Sequence, residues 1–471
     1  MPTDIKQKFI SFFNGYLFPL YIAFFVLLGY LIGLVHLSIF FIVAASCLGF
    51  VICNDLKFFI SPLLCSYFMF SKEALSDEGL YSTSSLIFFG MCILALATCI
   101  AVHFITFRKE IKVRRFVRSS LFKGFVILTA LFLLNGFFNF KEYNKENIIF
   151  GALIAVSFVL PFFIFSINMR IDKKTAKYLV YVLLVVSFIL AVELIALYFT
   201  TVEISAGKIM KHTIDLGWGV SNNIGAMLAM IMPIHFYCAV KARHSVPFFA
   251  SGVICYLLVV LSMSRTSIMF ATFTLIFCLV FLCTYKHKNI MANRYSAVAF
   301  FFLVSFALIM FESKLQRAFE GLLLIGFDDN GRMEYYRDGI EKFLSHPIFG
   351  AGFGNSHGVN DKFVIAAPEY FHNTVIQMLA SCGALGFLAY AYHRFETVKL
   401  FIKHKTPLSF FFGMSIMTLL LSSLLDIHIF NVFPAIFYSV ILCVLERDGK
   451  YRAQRSLNHL TEASMEFPTL H

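Results

Sequence analysis

Long apolar stretches recur along almost the whole chain, and this feature constrains the fold more than any other. A helix of about 17–25 residues crosses a bilayer core about 30 Å thick. Stretches of about this length predict an all-α integral membrane protein, a polytopic bundle of about 12–14 transmembrane helices. The candidate spans are residues 16–34, 37–53, 57–71, 85–106, 121–140, 148–168, 179–200, 224–240, 247–264, 267–285, 296–312, 373–391, 408–426 and 429–445.

Composition excludes the other broad classes. Of the 471 residues, 59% are hydrophobic and only 14% are charged, whereas an ordinary globular domain carries about 25% charged residues. A soluble enzyme, a disordered chain and a fibrous repeat are therefore excluded. The first stretch lacks an A-x-A-like cleavage site after it, so we interpret it as a retained helix. The stretch at 57–71 is short, and a re-entrant segment is an alternative there.

Charge predicts the topology. The net charge is +12, and basic residues accumulate in cytoplasmic loops. With the N-terminus inside, about 26 of the 39 Lys and Arg residues fall in cytoplasmic segments. We therefore expect both termini, including the tail 447–471, to be cytoplasmic, and we interpret the basic excess as topology rather than as nucleic-acid binding.

Cysteine usage points away from metal and redox chemistry. The chain has 11 cysteines but no C-x-x-C pair, and most of them lie in apolar stretches, where cysteine packs as a small polarizable residue. We expect no metal site, no disulfide framework and no cofactor.

Two outer segments, 201–223 and 313–371, are too long to be simple connections. Within the second, the apolar spacing over 331–345 predicts an amphipathic helix that ends at His346 and Pro347. This helix either lies along the membrane or covers a cavity. The chain is accordingly divided into N-terminal helices (1–200), a core with the outer loop (201–446) and the tail.

Two arginines on the outer side are candidates for binding an anion. Arg265 stands at an outer turn between two spans, and guanidinium forms forked hydrogen bonds with phosphate oxygens. The alternatives are an interfacial Arg or a pair with an acid such as Glu193. Arg332 begins the predicted amphipathic helix, where free N–H groups favour anions. A solvated loop Arg is its alternative.

His372 begins a span and is followed by Asn373. A neutral His at the mouth of a cavity could act as general base for a hydroxyl, or it could simply cap the helix. Gly383 and Gly386 would allow close helix packing. Weaker candidates for substrate contact are Arg337, Lys211, Asn222, Asn223 and Asn373, and a weak acid/base pair is formed by Asp426 and His428. We interpret the glycine-rich segment 349–355 as a tight turn rather than a nucleotide loop.

Four features in this order resemble the O-antigen ligase and Wzy-type polysaccharide polymerase superfamily of bacterial membrane proteins. Together they cover about residues 210–390. They are Gly217-Trp-Gly-Val-Ser-Asn-Asn223, Ser264-Arg265, Asn330-Gly-Arg332 with its helix running to Pro347-Ile-Phe-Gly-Ala-Gly352, and His372-Asn373 with Gly383 in an H-x10-G pattern.

This resemblance implies a metal-independent, inverting glycosyltransferase of the GT-C type in the bacterial cytoplasmic membrane, with its active site on the outer face. The donor would be a polyprenyl (undecaprenyl) diphosphate-linked oligosaccharide, and the acceptor a hydroxyl of a glycan or lipid-linked glycan. Arg265 and Arg332 would hold the diphosphate, and His372 would activate the hydroxyl. The other partners expected are membrane lipids.

Three functions stay open at this point. A polymerase in the assembly of surface polysaccharide is favoured slightly, because the segment 218–224 resembles members from bacteria that lack lipopolysaccharide. A ligase would instead attach the glycan to lipid A-core. A transporter or flippase of lipid-linked sugars would place charges midway through several helices and would show internal repeats.

Overall fold

The computed structural model describes residues 3–71, 82–137, 145–169, 173–320, 331–353 and 370–465. This part of the chain is almost entirely helical, and its only strands are β1 (Ile204–Ser205) and β2 (Lys208–Ile209), which pair as an antiparallel hairpin. Eight helices are long and apolar enough to cross a membrane. The predicted all-α polytopic class is therefore confirmed.

The α-helices of the described residues are numbered in chain order. The first nine are α1 (Thr3–Phe13), α2 (Leu17–Ile32), α3 (Val35–Ile52), α4 (Ile60–Cys65), α5 (Thr83–Thr106), α6 (Arg114–Val117), α7 (Phe122–Leu133), α8 (Lys145–Asn168) and α9 (Lys173–Thr200). The last eight are α10 (Ser221–Lys241), α11 (Val246–Leu261), α12 (Arg265–Thr284), α13 (Ile290–Ala318), α14 (Arg332–Ser345), α15 (Thr374–Lys403), α16 (Pro407–Ser422) and α17 (Val432–Met465).

Several apolar helices are bent or short. Helices α1 and α2 meet at an angle of 61°. Only together, as one broken span, are they long and apolar enough to cross a membrane. Four further apolar stretches, among them Leu56–Met69, are shorter than a full span. Leu56–Met69 itself consists of α4 between two 3₁₀ turns, which fits the expectation of an irregular third segment. The total of about 12–14 spans stays a prediction.

Helix α10 is the central element of the bundle. It packs against α9, α11, α12 and α16, and 89% of its membrane-length part is buried inside the protein. For α5 and α13 the corresponding share is only 6%. Because those two helices expose apolar side chains around most of their surface, they are suited to contact with lipid. The first residues of α10 therefore lie at the middle of one end of the bundle.

The predicted amphipathic helix is confirmed as α14. Its one buried residue, Gly339, lies where a side chain would collide with Ile376 and Phe371 at the start of α15. Helix α14 thus packs closely on the beginning of α15 instead of standing free in solvent.

A backbone contact fixes α14 relative to α15. The segment 347–352, which follows α14, lies against a break in α15 at Gly383, whose φ is 68° and ψ −169°. Ala351 N–H donates to the Ala380 carbonyl at 2.7 Å, and Ala384 N–H donates to the Pro347 carbonyl at 2.8 Å. Close packing at Gly383 is therefore observed, and a Cβ there would collide with the Ile348 backbone.

Gly350 makes the reciprocal contact. Its φ is 73°, and a Cβ at this position would collide with the backbone of Ser381. The tight turn expected over 349–355 is present in its described part, residues 349–353, as a segment docked on the helix break, whereas residues 354 and 355 lie outside the described residues.

We expect Gly383→Ala and Gly350→Ala each to lower the free energy of unfolding by about 1–3 kcal/mol, because each adds a Cβ to a backbone conformation that only glycine adopts easily. Thermal unfolding of the detergent-purified protein measures this. Gly90→Ala is the matched control: it lies on lipid-facing α5 with nothing within 4 Å of a new Cβ, so no loss is expected. Equal stability of all three variants would contradict the docking contact.

Candidate functional site

The candidate residues converge at the end of the bundle where α10, α12, α14 and α15 begin. Each of these helices starts next to a predicted site residue: Asn222 on α10, Arg265 on α12, Arg332 on α14 and His372 before α15. The turn after α16 adds Asp426. Four helix N-termini at one end of a bundle provide free N–H groups and positive potential.

Arg265 is the first residue of α12 and is half-buried. The Ser264 side chain caps this helix by accepting from Ser267 N–H at 3.4 Å. The Ser267 hydroxyl in turn donates to the Asn222 carbonyl at 3.4 Å. Met263, just before the cap, has a φ of 56°, which a residue with a Cβ rarely adopts. The chain therefore turns sharply and presents Arg265 beside the start of α10.

Glu193 is not available as the partner of Arg265 that the sequence left open. Its carboxylate is fully buried and accepts from the Trp218 indole N–H at 2.9 Å. The Tyr67 hydroxyl also donates to the Trp218 carbonyl, at 3.1 Å. These contacts fix the segment that leads into α10 and carries Asn222 and Asn223. Asn223 itself lies beside Gly219.

Lys211 adds a third cation to the two arginines. It lies on a 3₁₀ turn, and its Nζ donates to Asn222 Oδ1 at 3.3 Å. Partial desolvation lowers the pKa of Lys211; the charges of Arg265 and Arg332 lower it further, while Asp426 acts in the opposite direction. Both arginines are therefore close enough to Lys211 to repel its charge, which favours binding of an anion near Lys211.

Arg332 and Arg337 differ in their surroundings, although both are on α14. Arg332 is half-buried, and its charge acts on both Lys211 and His428. Arg337 is exposed, with its Nε 3.9 Å from Glu341 in an i,i+4 pair, and such surface pairs contribute little. The contacts of the structure bring Arg332 into the cluster but not Arg337, whose contact with substrate stays a prediction.

His372 lies next to Asp426, with 3.3 Å between His372 Nδ1 and Asp426 Oδ1. The φ of His372 is 49°, a strained value for a residue with a Cβ. Helix α14 lies directly over the imidazole, because the ring centroids of Tyr335 and His372 are 5.4 Å apart. The histidine is thus held between an acid and an aromatic ring at the mouth of the cluster.

Asn373, expected to bind substrate, caps helix α15. Its Oδ1 accepts from Val375 N–H at 2.8 Å and Ile376 N–H at 3.1 Å. Its Nδ2 donates to the Leu424 carbonyl at 2.8 Å. The side chain therefore joins the start of α15 to the turn that carries Asp426, and in this way it positions His372. A contact with substrate stays a prediction.

Asp426 has a stronger role than sequence reasoning gave it. The sequence indicates only a weak acid/base pair of Asp426 with His428. In the structure, His428 Nε2 lies 3.7 Å from Asp426 Oδ2. Burial would raise the pKa of Asp426, but the hydrogen bond with His372, the nearby His428 and the Ile427 N–H together hold this pKa below its usual value. Its carboxylate therefore contributes stability above pH about 4 and loses that contribution as the pH falls further.

His428 is the least accessible member of the cluster, with 2% of its side chain exposed. Burial lowers its pKa, the carboxylate of Asp426 raises it, and the positive charge of Arg332 lowers it again. His428 is thus a neutral neighbour behind Asp426, whereas His372 is 37% exposed and can meet a ligand.

This arrangement can bind an anion and take up a proton. Lys211 lies within reach of the charges of both arginines and of Asp426, and the Asp426 carboxylate is engaged by His372. If Asp426 accepts the Nδ1 proton, Nε2 of the imidazole is left as an acceptor for a hydroxyl proton. Among the described residues, no group of three or more His, Cys, Asp or Glu side chains is placed to hold a metal ion.

Part of the chain is similar to a known protein family. The family model described as O-antigen ligase matches residues 250–391. The matched range includes Arg265, Arg332 and His372, but it begins after Lys211 and ends before Asp426. No curated protein matches the chain.

We expect Asn373→Ala to lower the free energy of unfolding by about 0.5–2 kcal/mol, because two N–H groups at the start of α15 lose their acceptor. Thermal unfolding measures this loss. Asn373→Asp is the matched control: it retains the capping oxygen and loses only the bond to Leu424, so a smaller loss is expected. A loss from Asn373→Asp that equals that from Asn373→Ala would contradict the capping role.

Proposed function

We propose that the chain, whose residues 250–391 match the family model described as O-antigen ligase, is a membrane glycosyltransferase of the O-antigen ligase and Wzy-type superfamily. It takes glycan from a polyprenyl diphosphate-linked donor and transfers it to an acceptor hydroxyl on the outer face of the cytoplasmic membrane. The observation that carries the proposal is the convergence of Lys211, Arg265 and Arg332 beside the His372–Asp426 pair.

The three cations bind the donor diphosphate. Arg265 and Arg332 offer forked, charge-assisted hydrogen bonds to phosphate oxygens, and Lys211 adds a point charge. When the anomeric carbon–oxygen bond breaks, negative charge develops on the departing diphosphate. Cations already in place stabilise that charge without reorganising, which lowers the barrier.

His372 activates the acceptor. Asp426 fixes the imidazole so that Nε2 takes the proton of the acceptor hydroxyl as its oxygen attacks the anomeric carbon. One glycosidic bond forms, the bond to the diphosphate breaks, and the proton resides on His372. Attack opposite the leaving group inverts the anomeric configuration. Because protein cations neutralise the leaving group, the proposed mechanism is metal-independent.

We favour the polymerase over the ligase, so that the acceptor is a second lipid-linked glycan rather than lipid A-core. The resemblance of residues 218–224 to members from bacteria without lipopolysaccharide supports this choice. For a transporter of lipid-linked sugars we would expect charges midway along several spans, whereas the site cations stand at helix starts.

Arg265→Ala, Arg332→Ala and His372→Ala are each expected to lower the rate of transfer by about 10²–10³-fold, since each removes stabilisation of the transition state. The assay incubates purified protein with a polyprenyl-diphosphate oligosaccharide and candidate acceptors, and it detects longer glycans or a glycan–lipid conjugate.

Arg317→Ala is the matched control, because Arg317 is an exposed arginine at the end of α13 and outside the cluster, and it should retain full activity. Normal activity of all three site variants would contradict the assignment. Absence of turnover with every acceptor, together with passage of lipid-linked sugar across vesicles, would favour the transporter.

Asp426→Asn is expected to lower kcat by about 10²-fold or more, because the amide no longer holds the imidazole in the productive tautomer. The KM for the donor should change little, since the cations are intact. A large rise in KM with an unchanged kcat would place Asp426 in donor binding instead.

Removal of metal ions is expected to leave transfer unchanged. The rate measured after dialysis against EDTA should equal the rate before it, and recovery of lost activity by Mg²⁺ or Mn²⁺ would contradict the metal-independent mechanism.

A further inference from the structure

The opposite end of the bundle carries a second group of cations. Helix α15 is broken at Gly383, and its part after the break, residues 384–403, has 20 residues, which is about 30 Å at 1.5 Å per residue. The candidate active site lies before its first residue, whereas Lys399 and Lys403 lie in its last two turns. A ligand bound at this end therefore cannot touch the active site directly.

A cavity of about 380 Å³ opens at this end between α15, α17 and the segment before α7. Four cationic side chains line it from three separate parts of the chain: Arg118, Lys399, Lys403 and Lys450. Two carboxylates, Glu396 and Glu446, also line it. The cavity walls therefore carry more positive than negative charge.

Both carboxylates already have partners within the protein. Glu396 is 3.1 Å from Lys399, and Glu446 is 3.0 Å from Lys450. Glu446 also accepts from the Ser119 hydroxyl at 2.9 Å. Among the described residues, Arg118 and Lys403 have no carboxylate within 4 Å. Their two positive charges remain for an anion in the cavity.

An apolar cavity adjoins the basic one. It has a volume of about 440 Å³, lies between α12, α15 and α16, and is walled largely by aromatic side chains such as Phe281, Phe401 and Phe410. His404 lines both cavities. On its other side, the backbone of α17 approaches His404 so closely that a Cβ at Gly449 would collide with the imidazole.

We propose that these two cavities together bind an anionic phospholipid of the membrane. Its phosphate lies among the cations of the basic cavity, and one acyl chain enters the apolar cavity. Phosphate oxygens accept charge-assisted hydrogen bonds from Arg and Lys, and basic pockets between membrane helices suit anionic headgroups. A soluble anion would use only the first cavity, so the adjoining apolar cavity favours a lipid.

The test is a titration of the purified full chain with phosphatidylglycerol or phosphatidylcholine, in which native mass spectrometry measures the bound lipid. The wild type should bind phosphatidylglycerol more tightly. The double variant Arg118→Gln/Lys403→Gln should weaken phosphatidylglycerol binding by about 25-fold, which is about fivefold for each cation removed, and leave phosphatidylcholine unchanged.

A matched control separates this site from the general basic surface. Arg243→Gln/Lys286→Gln removes the same charge from residues that line neither cavity, and it should leave phosphatidylglycerol affinity within about twofold of wild type. Equal weakening by both double variants, or equal binding of the two lipids to the wild type, would overturn the proposal.

The contribution of the apolar cavity is tested with Gly413→Leu, which fills this cavity next to Phe401. It should weaken phosphatidylglycerol but not soluble glycerol phosphate. Glycerol phosphate that binds as tightly as the lipid, or lipid binding that is unaffected by Gly413→Leu, would overturn the lipid assignment. Size-exclusion chromatography and the emission of Trp218, the single Trp, verify that each variant is folded.

Discussion

The backbone contact between residues 347–352 and the break in α15 is the constraint on which the site depends. It leaves no room for side chains at Gly350 and Gly383, so the two segments approach to hydrogen-bonding distance. Helix α14, with Arg332 at its start, is thereby held against the beginning of α15, where His372 lies. An arginine and a histidine that are 40 positions apart in the sequence are thus brought to one place by a contact that neither of them makes.

Much of the fold and the positions of the main candidates followed from local patterns in the sequence. Helical apolar spacing predicted α14, and hydropathy predicted that His372 begins a span. Local patterns did not reveal the partner of His372, since Asp426 lies 54 positions away and only the packing of α15 on the following turn joins them. Local patterns also did not reveal that the side chain of Asn373 caps α15, and its contact with substrate stays a prediction. A capping residue and a ligand-binding residue look alike in sequence.

Each end of the bundle carries its own group of cations, and we propose that the two groups bind different anionic ligands. At the active-site end, the charges of Arg265 and Arg332 lower the pKa of Lys211, a cost that an anionic ligand removes. At the other end, ion pairs neutralise half of the cations and two remain. In a chain with only 14% charged residues, such clusters of cations are informative, because most of the remaining surface is suited to lipid and carries no specificity.

The most direct test of the proposed diphosphate site compares the affinities of the protein for polyprenyl diphosphate and for the uncharged polyprenol. Binding of each lipid is measured by the change in emission of Trp218, which lies close in sequence to Asn222. The two lipids share the same chain and differ in the diphosphate alone. We expect polyprenyl diphosphate to bind at least about 100-fold more tightly than polyprenol, since several charge-assisted hydrogen bonds contribute. Equal affinity for the two lipids would contradict the proposed diphosphate site.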